Sequence, residues 1–140
     1  VIDFESRFRG DLMHLLGYKW ENGMLKVVLS REVPKIVPPL VAKCVRVMLE
    51  RNSLEVKDIK NWVFHSGGVS IIDGIKGELG VSEEDVKWSR RALESFGNCS
   101  SATVGLAAEL MQADNPCGYA VAAVMGAGAA VDSALLRYRR

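Results

Sequence analysis

An unbroken apolar stretch that stops dead constrains this chain more than any other feature. Asn61-Trp62-Val63-Phe64-His65 reads as a strand and ends at Ser66-Gly67-Gly68. With no polar residue alternating through Trp62, Val63 and Phe64, the strand has no side to offer solvent and reads as buried. Such a strand needs other layers packed on it. The segments around it carry helical periodicity, so the reading is α/β.

Upstream, Gly17 to Arg31 reads as a hairpin whose arms meet at Asn22-Gly23, a pair that tolerates the positive φ angles of a type I′ turn. Pro34, Pro38 and Pro39 mark the entry to a helix. Leu40, Val41, Cys44, Val45, Val47 and Met48 share one of its faces, and it runs to about Arg51. After the buried strand, Val69, Ile71, Ile72, Ile75 and Leu79 predict a helix closed by Gly80. Ser82, with Asp85 three residues on, reads as the N-cap of a helix running through Val86, Leu93 and Phe96 to Gly97. Ser100 or Ser101 starts another, ending before Asn115-Pro116. Strands over Tyr119–Met125 and Val131–Tyr138 close the chain. The predicted order is β-β-α-β-α-α-α-β-β, with helices layered on a sheet.

Several classes of protein are excluded early. A formal net charge of +1 over 140 residues gives no basic face for nucleic acid, although Arg137, Arg139 and Arg140 make a basic terminus. The longest apolar candidate for a membrane span, Tyr119 to Leu136, is broken by Gly126, Gly128 and Asp132. Asp3, Glu5, Arg7 and Arg9 give the start a mixed charge unlike a signal peptide. Cys44, Cys99 and Cys117 are odd in number and irregular in spacing, which suits neither a disulfide framework nor a zinc site and points to a reducing, cytoplasmic setting. A chain opening on Val1 is expected to be processed, trimmed or part of something longer.

Two segments can carry chemistry. His65 stands at the carboxyl end of a buried strand, where α/β folds place ligand-handling groups, and the glycines after it let a substrate or another backbone approach. The same position also suits a histidine that only hydrogen-bonds the next turn. Asn98, in Phe96-Gly97-Asn98-Cys99-Ser100-Ser101-Ala102, stands between a helix stop and a helix start. It serves equally as an N-cap.

Together the segments resemble the paired signatures of type III polyketide synthases, the chalcone and stilbene synthase family: Trp-x-x-His-Pro-Gly-Gly and Gly-Asn-x-Ser-Ser. This chain has Trp62, His65, Gly67 and Gly68, then Gly97, Asn98, Ser100 and Ser101, and the 33-position gap from His65 to Asn98 suits the family. Val124-Met125-Gly126-Ala127-Gly128 is similar to the family's closing Gly-Phe-Gly-Pro-Gly loop. The hairpin and Leu29-Ser30-Arg31-Glu32-Val33-Pro34 look like its stretch before a long helix. The resemblance extends over essentially the whole chain.

It implies half of a thiolase-like fold, a mixed sheet layered with helices, as a single C-terminal domain over residues 1–140. The N-terminal half, with the nucleophilic cysteine, is absent. The implied reaction is decarboxylative condensation of malonyl-CoA onto an acyl-CoA starter in a homodimeric cytoplasmic enzyme, with no metal or organic cofactor. His65 and Asn98 are the implied catalytic pair, stabilising the enolate, with His65 also favouring the cysteine thiolate. Gly67, Gly68, Ser100, Met125, Gly126 and Gly128 are the implied substrate-binding positions. Of the cysteines present, Cys99 reads as packing, Cys44 as a small hydrophobe on a helix face and Cys117 as a loop residue.

Three departures stand out. Ser66 replaces the usual proline, as in some bacterial members, including those making dihydroxyphenylacetyl units. Met125 and Ala127 replace the aromatic residue and the proline of the glycine loop, which leaves the product type open. The Gly-Ala-Gly form also resembles ketoacyl synthase III enzymes of fatty-acid synthesis, which load an acyl carrier protein thioester. Those usually carry Asn-Thr-Ser and lack Gly-Gly directly after His-x. A non-catalytic half-enzyme that only binds or dimerises is the reading from a different class.

Overall fold

The chain enters its fold through a strand that its own charges disguise. In the computed structural model, which describes residues 1–139, Asp3–Phe8 forms β1. The predicted order omits this strand. Its alternation is inverted: Asp3, Glu5 and Arg7 turn inward, while Phe4 and Phe8 face out at 70% and 63% exposure. The inward carboxylates are neutralised from a later helix. Arg51 donates to Asp3 at 2.9 Å and to Glu5 at 2.8 Å, and Asn52 adds a 2.7 Å bond to Asp3. The Arg51 bond, helped by Asn52, holds the Asp3 carboxyl at about 2.

Leu16–Glu21 and Met24–Leu29 form β2 and β3, an antiparallel ribbon apart from the main sheet. Asn22 and Gly23 both have positive φ, 53° and 75°, as the two-residue turn demands. Register puts Leu16, Tyr18 and Trp20 opposite Leu29, Val27 and Leu25, so one face of the ribbon is wholly apolar. The other carries Lys19, Lys26 and Glu21, joined by ion pairs.

Helix α1, Val33–Arg51, begins before all three prolines, and Pro38 and Pro39 lie inside it rather than ahead of it. Pro34, in the first turn, costs little because amides there have no intrahelical partner, whereas Pro38 and Pro39 lie in the second turn and each forgoes a bond to the carbonyl four residues back. The buried strand is β4, Ile59–Phe64, followed by α2, Val69–Leu79, which Gly80 closes at φ 72°. Ser82 and Asp85 do bond reciprocally, but they build a turn; α3 starts later, at Lys87, and ends at Phe96. Helix α4 covers Ala102–Gln112, and β5, Gly118–Gly126, and β6, Ala130–Tyr138, complete the chain. Of the terminal arginines, Arg140 lies outside the described residues.

The sheet order is β1-β6-β5-β4, with β4 parallel to β5 and the other pairs antiparallel. Alternation along β4 assigns the layers. Trp62 and Phe64 enter one core with α1 and α2, while Val63 enters a second with Trp88, Ala92, Ala107 and Met111 of α3 and α4. Helices therefore cover both faces, which is why Trp62, Val63 and Phe64 are all buried. Among the described residues, no helix is long and apolar enough to cross a membrane.

Helices α1 and α2 touch where Gly74 meets Pro38. A Cβ at 74 would lie 2.5 Å from Pro38 Cγ and 2.9 Å from Pro38 Cβ. Alanine is the better helix former by about 1 kcal/mol, yet Gly74→Ala is expected to destabilise by about 1–3 kcal/mol through overpacking. Its urea midpoint should fall; a rise would mean that the two helices can part without cost.

Candidate active site

His65 is placed by the strand that precedes it. Its backbone N–H donates to the Ala123 carbonyl at 2.8 Å, extending the β4–β5 pairing by one residue, and Gly67 N–H turns back to the His65 carbonyl at 3.0 Å. The imidazole is buried, with 6% exposure. Its Nδ1 lies 3.0 Å from Thr103 Oγ1 in the first turn of α4. Its Nε2 lies over Gly67, where an added Cβ would come within 3.2 Å of it. Burial pushes the imidazole below its ordinary pKa, and the Ser100 carbonyl opposes this only in part, so the ring is neutral at neutral pH.

Ser66 points away from the site. Its Oγ donates to the Ser89 carbonyl at 2.7 Å, and the Ser89 hydroxyl accepts the Phe64 N–H at 2.8 Å. These bonds tie the end of β4 to α3 and give Ser66 a role where the family signature has proline.

Asn98 follows Gly97, whose φ of 71° ends α3. Its Nδ2 donates to the Gly67 carbonyl at 3.1 Å, and its Oδ1 accepts the Ser100 N–H at 3.0 Å. The amide thus fastens the His65 loop to the loop before α4. One Nδ2 hydrogen remains uncommitted. Asn98 is not the N-cap of α4: that position belongs to Ser101, because Ser100 at φ 58° inserts a turn between them.

A cleft of about 510 Å³ opens at this junction. His65, Gly67, Asn98 and Ser100 form one side, and Met125 and Gly126, at the end of β5, form its floor. Gly68 and Gly128, also expected to bind substrate, are not among the residues lining the cleft. Gly68, at φ 155°, starts α2 by accepting the Ile71 and Ile72 amides. Gly128, at φ 79°, donates to the Leu16 carbonyl at 2.7 Å, and a Cβ there would strike the Phe8 ring at 2.8 Å.

The opposite wall is the apolar face of the ribbon: Leu16, Tyr18, Val27 and Leu29. Sequence reasoning located the hairpin but did not assign it to the site. The usable signal was alternation in both arms, which puts Leu16, Tyr18, Trp20, Leu25, Val27 and Leu29 on one face and leaves Met24 and Val28 on the other. Thr103 was also missed, since a threonine in the first turn of a helix carries no pattern of its own. None of the three cysteines is among the residues lining the cleft. Cys99 is exposed and donates to the Phe96 carbonyl, Cys44 is buried between β1 and β6, and Cys117 is half-buried.

A mixed sheet with helices on both faces, offering a histidine and an asparagine at one end, defines a thiolase-like half-domain. The family model for the C-terminal domain of chalcone and stilbene synthases matches residues 11–136, and the chain belongs to that family. It is 27% identical over 143 aligned positions to a 3,5-dihydroxyphenylacetyl-CoA synthase from Amycolatopsis orientalis, covering 99% of this chain and 39% of that protein. A type III pentaketide synthase from Neurospora crassa superposes with a TM-score of 0.86 at 27% identity, over 99% of this chain and 41% of that one. The 1,3,6,8-tetrahydroxynaphthalene synthase of Streptomyces coelicolor reaches 0.90 at 20% identity, over 99% and 40%, a likeness of fold. The chain spans about two fifths of the length of these proteins.

Proposed function

We propose that this chain is the C-terminal part of a type III polyketide synthase and supplies the condensation machinery of its active site. The observation that carries this reading is that His65 and Asn98, 33 positions apart, meet across Gly67 at the mouth of a cleft with one apolar wall. A starter acyl group from a coenzyme A thioester is loaded onto a cysteine outside this chain. Malonyl-CoA then loses carbon dioxide, and the resulting enolate attacks the acyl thioester, forming a carbon–carbon bond and releasing the cysteine thiolate.

The enolate oxygen is where charge develops. A neutral amide donor at Asn98 and an Nε2–H donor on His65, once that nitrogen has taken the cysteine proton, stabilise it without introducing a repelling charge. The apolar ribbon face is suited to the growing acyl chain. That face extends past the cleft to Trp20 and Leu25, 72% and 61% exposed, an area fitted to the N-terminal half of the enzyme, which we take to assemble as a homodimer. No step in this scheme calls on a metal or organic cofactor. The free thiols fit a cytoplasmic enzyme.

The division of labour is testable in the complete protein. Asn98→Ala is expected to slow malonyl-CoA decarboxylation and condensation by about 10²–10³-fold, while acylation of the cysteine by starter acyl-CoA, followed by intact-protein mass spectrometry, stays within a few-fold. Equal losses in both steps would sink the assignment.

A further inference from the structure

We infer that Thr103 is a positioning residue that sets the tautomer of His65, holding the ring proton on Nδ1 and leaving the Nε2 lone pair facing the cleft. The inference deepens the functional reading above and rests on it for its catalytic consequence.

Thr103 is fully buried, and its Oγ1 lies 2.5 Å from the Ser100 carbonyl oxygen. A carbonyl carries no proton, so two oxygens this close are attractive only if the threonine hydrogen lies between them. That commits the single hydroxyl proton. What Oγ1 then offers His65 Nδ1, 3.0 Å away, is a lone pair, and the Ser100 carbonyl that also bonds the ring can likewise only accept. Nδ1 must therefore be the protonated nitrogen, and in the neutral ring Nε2 is the acceptor. Nε2 is the atom over Gly67, on the cleft side.

The consequence is directional. An imidazole protonated on Nδ1 can take a thiol proton at Nε2 and then present that same N–H to a developing enolate oxygen. The opposite tautomer can donate to an enolate oxygen but cannot take the thiol proton, because its cleft-facing nitrogen starts out filled. The hydroxyl thus does for His65 what the hydrogen-bond partner of a reactive histidine does generally, which is to choose which nitrogen works.

The test uses the full-length protein labelled with ¹⁵N-histidine, read by long-range ¹H–¹⁵N correlation above the titration of His65 and assigned by comparison with His65→Gln. The wild-type spectrum should show His65 protonated on Nδ1; protonation on Nε2 overturns the inference, whether or not any variant folds. Thr103→Val, which keeps the shape and removes the acceptor, should shift the tautomer toward Nε2–H and lower turnover by about 10–100-fold. Thr103→Ser should restore both. An unchanged tautomer in Thr103→Val would overturn the inference, since the ring would then be fixed by other neighbours. A shifted tautomer with undiminished turnover would uphold the role of Thr103 and overturn the catalytic reading of His65.

Discussion

His65→Ala in the complete enzyme is expected to lower malonyl-CoA turnover by at least about 10³-fold, and to slow cysteine acylation too. Two losses combine. Removing a general base at the thiol costs about 10²–10⁴-fold, and removing a donor at the enolate oxygen costs about 10²–10³-fold. Burial keeps the imidazole neutral at neutral pH, the state that can accept a proton. The substitution should leave the fold standing, because among the described residues the ring gives up only its bonds to Thr103 and to the Ser100 carbonyl. Circular dichroism and the unfolding midpoint would establish this. Stopped-flow loading and malonyl-CoA consumption then separate the roles; loading at the wild-type rate would remove the thiolate role and leave the enolate role alone.

Phe64→Ala should be the most damaging change to stability, about 3–5 kcal/mol. Against a total of about 5–15 kcal/mol for a domain, that is enough to leave much of the protein unfolded in mild urea. Phe64 is fully buried, and its ring lies 5.6 Å from that of Trp62, centroid to centroid, in the layer beneath α1 and α2. A loss below about 1 kcal/mol would mean that this layer closes over the cavity, contrary to the close packing described for it. The same change should disturb the site, because the Phe64 amide is held by Ser89 and the next amide by Ala123.

Much of the architecture was legible in advance because it is written in local patterns. Asn22-Gly23 announces its own turn, Gly80 its own helix end, and Trp62 to Phe64 their own burial. The errors share a cause. Strand β1 pairs with β6, across Asp3 and Leu135 for example, and its inward carboxylates are acceptable only because Arg51 reaches them. Nothing within ten residues of Asp3 says so. Ser82 and Asp85 look like the start of a helix and form the bonds expected of one, yet the helix begins five residues after Ser82.

The site divides the same way. Sequence by itself determined that a histidine ends a buried strand, that an asparagine sits between two helices, and that the two belong to one family's pair of signatures. Residue type and spacing along the chain are all those readings need. Tertiary structure alone decided that the Asn98 amide grips the Gly67 carbonyl, that the ribbon turns its apolar face to the cleft, and that Thr103 stands behind His65. The two side-chain bonds join residues 31 and 38 positions apart, and the ribbon is tied in by Gly128 N–H to the Leu16 carbonyl. All arise when helices and strands pack, and no local pattern of side chains encodes the direction in which a packed group will point.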